Sequence, residues 1–216
     1  AAGTGKTRTL VYRVAHLASR GVPPEHVLLL TFTNRAAHEM LERAESLVGA
    51  RAGGWWGGTF HHMCNRVLRR HAARLEYPSD YTILDRDDSR TLVASCIRDR
   101  KLRHKEFPKP DVLLSLHSAA VNSSESVDDA MKERFGDLDV DVEDVRKVLH
   151  DYESRKRKQN AMDFDDLLVN GVRLLREHAD VQGQYQGQFR YVLVDEYQDT
   201  NPIQAELVDR LAARHR

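Results

Sequence analysis

Tyr191-Val192-Leu193-Val194-Asp195-Glu196 is the stretch on which the reading of this chain turns. Four consecutive apolar residues, too few for a helix and rich in strand formers, read as a strand sealed on both faces. Two adjacent carboxylates at the end of such a strand are costly to desolvate unless something cationic meets them. The carboxyl end of a parallel strand is where α/β sheets bind ligands. There the pair suits a metal-bound phosphate, with Asp195 holding Mg²⁺ and Glu196 polarising a water in line with the terminal phosphate. The residues alone also allow a blander reading: two acids favoured by the dipole of a helix that starts near Asn201-Pro202.

The opposite end of the chain offers the complement. Ala1-Ala2-Gly3-Thr4-Gly5-Lys6-Thr7 runs straight into a helical pattern. In such a turn backbone N–H groups and the positive end of a helix dipole converge on phosphate oxygens. Ala2, Gly3, Thr4 and Gly5 would form the cradle, Lys6 would bridge the β- and γ-phosphates, and the Thr7 hydroxyl would ligate Mg²⁺. The full pattern G-x-x-x-x-G-K-[ST] places its first glycine before Ala1. The chain is therefore expected to begin inside its own motif, without the strand that feeds the loop.

Composition narrows the class. The 216 residues suffice for one or two domains. Charged residues make up 31%, above the usual share of about 25%, as in a soluble globular chain. No apolar run approaches the roughly 18–20 residues of a membrane span, and no apolar segment near Ala1 suggests a secretory signal. Two cysteines, Cys64 and Cys96, are too few for a disulfide scaffold and fit a reducing, cytoplasmic setting. The zero net charge hides a gradient. Basic and acidic residues number 11 and 6 over 1–80, 16 and 17 over 81–160, and 6 and 10 over 161–216. Any polyanion site must be local, and the acidic C-terminal stretch suits a metal better than a phosphate backbone.

Periodicity outlines the elements. Leu10, Val14, Leu17 and Ala18 share a helix face that Gly21 and Pro23-Pro24 terminate. Val27 to Leu30 reads as a buried strand. A helix from Asn34 to Val48 carries Ala37, Met40, Leu41, Ala44 and Leu47 on one side, with Gly49 as its stop. Gly53-Gly54-Trp55-Trp56-Gly57-Gly58 reads as a flexible link into Thr59-Phe60-His61. Between about Met63 and Gln188 only helical segments emerge: 61–76, 86–102, 110–121, 126–135, 141–159 and 163–178, with Asp85 as an N-cap and Gly136 and Gly171 near ends or loops. The expectation is an α/β fold, a P-loop parallel sheet interrupted by a mostly α-helical insertion. The boundaries fall at 1–65 and 186–216 for the ATP-binding domain and 66–185 for the insertion.

Asp195-Glu196-Tyr197-Gln198-Asp199-Thr200-Asn201 resembles motif II of superfamily 1 helicases of the UvrD/Rep/PcrA type. Leu30-Thr31-Phe32-Thr33-Asn34-Arg35-Ala36-Ala37-His38-Glu39-Met40 resembles motif Ia, and Gly58-Thr59-Phe60-His61 resembles motif Ib. Met162-Asp163-Phe164-Asp165-Asp166-Leu167-Leu168 resembles the segment before motif II. The resemblance implies a RecA-like sheet and an ATP-driven, Mg²⁺-dependent translocase that moves 3′ to 5′ along single-stranded DNA and unwinds duplex, in DNA repair or replication. It implies partners at single-strand/duplex junctions and a second RecA-like domain of the same protein, without which this part alone would be inactive. Arg8 resembles the family's adenine-facing arginine. Motifs Ia and Ib make Thr31, Phe32, Thr33, Asn34, Thr59 and His61 the candidates for DNA contact, with Phe32 stacking on a base.

The residue types agree. Sequence-independent binding of a single strand uses aromatic faces, worth about 1–3 kcal/mol per stacked base, beside polar and cationic groups. Phe32 and Phe60 both sit in such a setting just after a strand, although either could instead cap the core. His61-His62 with Cys64 is too compact for a zinc site. Arg98, Arg100, Lys101, Arg103 and Lys105, and Arg155-Lys156-Arg157-Lys158, could track phosphates or could be solvated helix faces. Trp55-Trp56 could face a partner or pack. Two further possibilities share the motifs: the motor subunit of a helicase–nuclease complex, and a DNA-binding scaffold that no longer uses ATP.

Overall fold

A computed structural model describes residues 5–48, 54–102, 107–123, 125–135 and 141–215. In chain order the elements are α1 (Lys6–Ser19), β1 (Val27–Thr31), α2 (Asn34–Val48), β2 (Trp56–Thr59), α3 (Phe60–His71), β3 (Thr82–Ile83), α4 (Arg86–Asp99), α5 (Pro110–Ser123), α6 (Val127–Phe135), α7 (Val142–Lys158), β4 (Ala161–Met162), α8 (Phe164–Glu177), α9 (Ala179–Gln188), β5 (Tyr191–Val194) and α10 (Pro202–Ala212). The architecture is mixed α/β, mostly helical, with a small parallel sheet. The chain forms two compact units, Ala1–Leu68 with Gly171–Thr200 and Gln204–Arg216, and Arg69–Asn170 with Asn201–Ile203.

The first unit holds the sheet, ordered β2-β1-β5 with both pairings parallel. Leu30 lies opposite Gly58 on one side and Val194 on the other, so the three strands finish along a common edge. Every residue of central β1 is buried. Strand β5, with one neighbour among the described residues, leaves its four side chains half-buried rather than sealed as its apolar run suggested. Val11 and Val14 of α1 pack with Leu29, Met40 and Ala44, and each such aliphatic burial is worth about 1.5–3 kcal/mol. The buried face of α1 is Val11, Val14, Ala15 and Leu17, rotated by one position from the expected stripe. On α2 the stripe stops at Ala44, and Leu47 is exposed.

From Trp56 onward the glycine–tryptophan stretch is a strand, not a flexible link, while Gly53 lies outside the described residues. Trp56 is buried edge-on to Tyr185 and Phe189, with the Arg66 guanidinium 3.6 Å from its ring centroid. A Cβ on Gly57 would lie 2.5 Å from Leu41 Cδ1, so the glycine lets α2 pack on the strand. Gly171 likewise falls inside α8, not at a loop, because a Cβ there would meet Cys64 Sγ at 2.7 Å. The expected helix stop at Gly49, and Gly136, lie outside the described residues.

In the second unit α4, α5, α6 and α7 enclose a core that includes Val93, Leu113, Leu116, Val145, Val148 and Tyr152. Asp85 caps α4 reciprocally: its Oδ1 accepts from Asp88 N at 2.8 Å, and Asp85 N donates to Asp88 Oδ2 at 3.4 Å. The two-residue strands β3 and β4 pair in parallel; segments this short carry no periodicity to read. Helix α9 escaped the apolar pattern because its Gln- and Gly-rich sequence buries only Val181 and Tyr185. Several described members of the basic runs are tied down, while Arg103 and Lys105 lie outside the described residues. Arg100 clasps Asp151 at 2.6 and 2.9 Å, Arg155 binds Asp99 and Ser95, and Arg157 donates to Leu75 O while lying over Tyr77. Both cysteines are buried, and burial pushes the Cys64 thiol up to about 12, leaving it unreactive. No helix among the described residues is long and apolar enough to cross a membrane.

Candidate functional site

The edge where β1, β2 and β5 end collects the site. Backbone N–H of Asp195 donates to Leu30 O at 2.9 Å, which carries the β1–β5 pairing one residue past the strand. The Asp195 residue is only 8% exposed, and its Oδ1 is buried with no hydrogen-bond partner. Burial first, then the adjacent Glu196 charge, raises the carboxyl above its ordinary range. An orphaned buried carboxylate oxygen is costly unless it receives a cation or a donor. Such an oxygen is the kind of donor that a hard divalent ion takes, and Thr7, the other expected ligand, lies in the first turn of α1.

Glu196, the next residue, is more exposed than Asp195. Lys6 Nζ sits 3.1 Å from its Oε2, with the two side chains 49% and 38% exposed. This contact spans 190 positions of sequence. The Gln198 side-chain amide donates to the same Oε2. These bonds, Gln198 first and then Lys6, hold the Glu196 carboxyl below its ordinary range. Glu196 has a left-handed backbone at φ 49 and ψ 45, unusual for a non-glycine residue. It opens a 3-10 turn, Tyr197–Asp199, in which Asp199 N donates to Glu196 O at 2.8 Å.

Of the other phosphate-loop residues, Gly5 is the N-cap of α1, and Ala2, Gly3 and Thr4 lie outside the described residues. Arg8 lies over the Tyr12 ring, 5.4 Å from its centroid, at the mouth of an open cleft of about 600 Å³ that Arg43 and Leu47 also line.

The candidates after β1 and β2 fall on the same edge. Phe32 is 40% exposed, while Phe60 beneath it is buried, their ring centroids 5.7 Å apart. Thr33 and Asn34 are exposed, whereas Thr59 and His61 are partly buried. The Thr33 and Thr59 hydroxyls accept from Ala36 N and His62 N, capping α2 and α3. Thr31 is buried, and its hydroxyl donates to Thr33 O at 2.8 Å, shaping the loop from inside.

The second unit contains a polar cluster that sequence reading missed. Lys156, 1% exposed, places Nζ at 2.7 Å from both Asp163 Oδ2 and Asp166 Oδ2 and 2.8 Å from Glu153 Oε1. Asp163 also accepts from Tyr152 Oη, and Asp163 and Asp166 cap the start of α8 reciprocally. His117, Glu153 and Asp163 are close enough to ligate a metal, but the Lys156 ammonium already engages Glu153 and Asp163. A basic run Arg155–Lys158 hid this lysine; the usable signal was Tyr152 and Glu153 one turn earlier and the acids at 163 and 166. Phe164, at the start of α8, is exposed.

The chain is 40% identical over 214 residues to the ATP-dependent DNA helicase PcrA of Bacillus subtilis, covering 99% of this chain and 28% of that protein. It is 38% identical over 214 residues to PcrA of Staphylococcus aureus, and 38% over 212 residues to PcrA of Staphylococcus epidermidis, covering 29% and 28% of those proteins. It thus spans less than a third of the length of these relatives. The family model of the UvrD/REP helicase N-terminal domain matches residues 1–216, and the chain belongs to that family.

Proposed function

We propose that this chain is the ATP-binding and strand-gripping part of an ATP-dependent DNA helicase, a 3′-to-5′ translocase on single-stranded DNA. In this reading residues 1–65 and 186–216 form a RecA-like domain and 66–185 its helical insertion. The compact units support the first boundary and favour moving the second towards Gly171. The observation that carries the proposal is the Lys6–Glu196 contact, which joins the phosphate loop to the acid motif at 3.1 Å.

Each residue then has a task. Gly5 with Ala2, Gly3 and Thr4 cradles the phosphates through backbone N–H groups, and Lys6 leaves Glu196 for the β- and γ-oxygens. Arg8 faces the adenine. Thr7 and Asp195 would hold Mg²⁺, which when bound would neutralise charge on the phosphates. Glu196 takes a proton from water as the water oxygen bonds to the γ-phosphorus, while the bond to the bridging oxygen breaks and its electron pair leaves with ADP. Phe32 stacks on a base; Thr33, Asn34, Thr59 and His61 meet the sugar–phosphate backbone at the starts of α2 and α3, with Thr31 bracing the loop. A second RecA-like domain would close on the nucleotide and supply the arginine finger, worth about 10³–10⁵ in rate. Residues 1–216 alone are therefore expected not to unwind duplex. The test is Glu196→Gln in the full-length protein: ATP affinity retained, DNA-stimulated hydrolysis down about 10²–10⁴-fold. Normal turnover would remove Glu196 from the mechanism.

A further inference from the structure

We infer that Gln198 is a positioning residue for Glu196: its amide fixes Oε2 and leaves Oε1 as the oxygen that takes the proton from water. The inference rests on the assignment of Glu196 as the base and adds the group that aims it.

Three observations converge. Both side-chain donors that reach Glu196, Lys6 Nζ and Gln198 Nε2, end on Oε2, and Oε1 receives no hydrogen bond among the described residues. The 3-10 turn Tyr197–Asp199 folds residue 198 back over residue 196, which the left-handed backbone of Glu196 makes possible. Gln198 Nε2 also lies 3.4 Å from Asp199 Oδ2, so the amide is held between two carboxylates and its donor face is fixed without ambiguity.

The two donors differ in what nucleotide does to them. Lys6 is a flexible ammonium whose stronger partner is a triphosphate, and once it moves there Glu196 loses that contact. Gln198 is neutral and belongs to the same turn as Glu196, so its bond persists when phosphate arrives. A glutamate carboxylate on three rotatable bonds otherwise samples many orientations, and holding a base in line with its water is worth a measurable part of the rate. An amide suits this task because it orients the carboxylate without adding a second positive charge beside it.

The experiment is a double-mutant cycle in the full-length protein. Gln198→Met keeps the side-chain length and deletes the donor. It is expected to lower kcat for DNA-stimulated ATP hydrolysis about 10-fold or more, the scale on which supporting groups act, with KM for ATP and affinity for a non-hydrolysable nucleotide within about twofold. In a Glu196→Gln background the same change should cost nothing further. An unchanged kcat in Gln198→Met, or an undiminished loss in the Glu196→Gln background, overturns the inference. Should Gln198→Met fail to fold, Gln198→Asn, which retains the amide but is one methylene short, carries the same cycle. Failure here leaves the base assignment standing, because that assignment falls only if Glu196→Gln itself turns over normally.

Discussion

Among the lysines that meet carboxylates, Lys6 and Lys156 could hardly be placed more differently. Lys6 reaches one acid, Glu196, at 3.1 Å on an open edge, where both side chains keep more than a third of their surface in water. Lys156 is sealed among Asp163, Asp166 and Glu153, all within 2.8 Å, beneath the ring of Tyr152. An exposed pair gains little, since water and salt screen it, so it can be exchanged for a better ligand. A buried ammonium has already given up its hydration and can leave only by exposing several charges to one another. The first arrangement suits a site that opens to substrate; the second is an internal cation that welds α7 to the start of α8.

The sharpest way to break that contrast is Lys156→Met. Removing one partner of a buried ionic group typically costs about 3–5 kcal/mol, because the remaining charges are left uncompensated. Amide exchange along α7 and α8 should accelerate accordingly. If these amides exchange within about 1 kcal/mol of the parent, a span well below that cost, the ammonium is not what holds the cluster together.

A smaller effect comes from protons. Burial, aided by the charges of Asp163 and Glu153 and opposed by Lys156, lifts Asp166 from 3.8 to about 7. Asp163 moves down: burial opposes its charge, but Lys156 and the Tyr152 hydroxyl outweigh that. Lys156 moves up because the three acids outweigh its own desolvation. A carboxyl whose folded pKa is raised binds its proton more tightly in the native state, so its contribution falls as pH rises from about 4 to about 7. Asp163 acts oppositely, adding stability above its unfolded pKa that is lost on acidification, and the Lys156 contribution is lost only in strong alkali. Asp166→Asn should therefore flatten the decline of stability between pH 4 and pH 7, where each pKa unit is worth about 1.4 kcal/mol. An unchanged slope would mean that Asp166 is ionised throughout.

The contrast also explains what the sequence could reveal. Elements with long, regular patterns were legible: α2 begins where its period says, and Asp85 caps α4 through a bonding pattern visible in Asp85 and Asp88. The acid pair drew notice because two charges after Tyr191–Val194 are costly there without a cation, although a following helix dipole would also favour them. The Trp56–Thr59 strand was not, since glycines there signal flexibility locally and close packing only once Leu41 is in place. Lys156 was invisible for a related reason. One-dimensional charge runs record which residues are basic but not which one turns inward, and that is decided by α8 arriving with Asp163 and Asp166. Phe60 shows the same limit: its setting matches that of Phe32, yet tertiary packing buries one and presents the other.

The finest test concerns the exposed pair itself. If the Lys6–Glu196 contact were a structural tie, its removal would loosen the first unit; if it is a resting contact awaiting phosphate, its removal should scarcely register there. In nucleotide-free protein Lys6→Met is therefore expected to move the thermal midpoint by less than about 2 °C, below what a loss of ordinary size produces in a chain of this length. Raising the salt should change that small difference little, because the parent contact is already screened. Nucleotide must then separate the two proteins. The parent should gain stability with added Mg·ATP analogue in proportion to the logarithm of its concentration, as any ligand of the native state requires. Lys6→Met should gain far less. Equal stabilisation of both by the analogue would detach Lys6 from phosphate binding and leave its contact with Glu196 as surface chemistry alone.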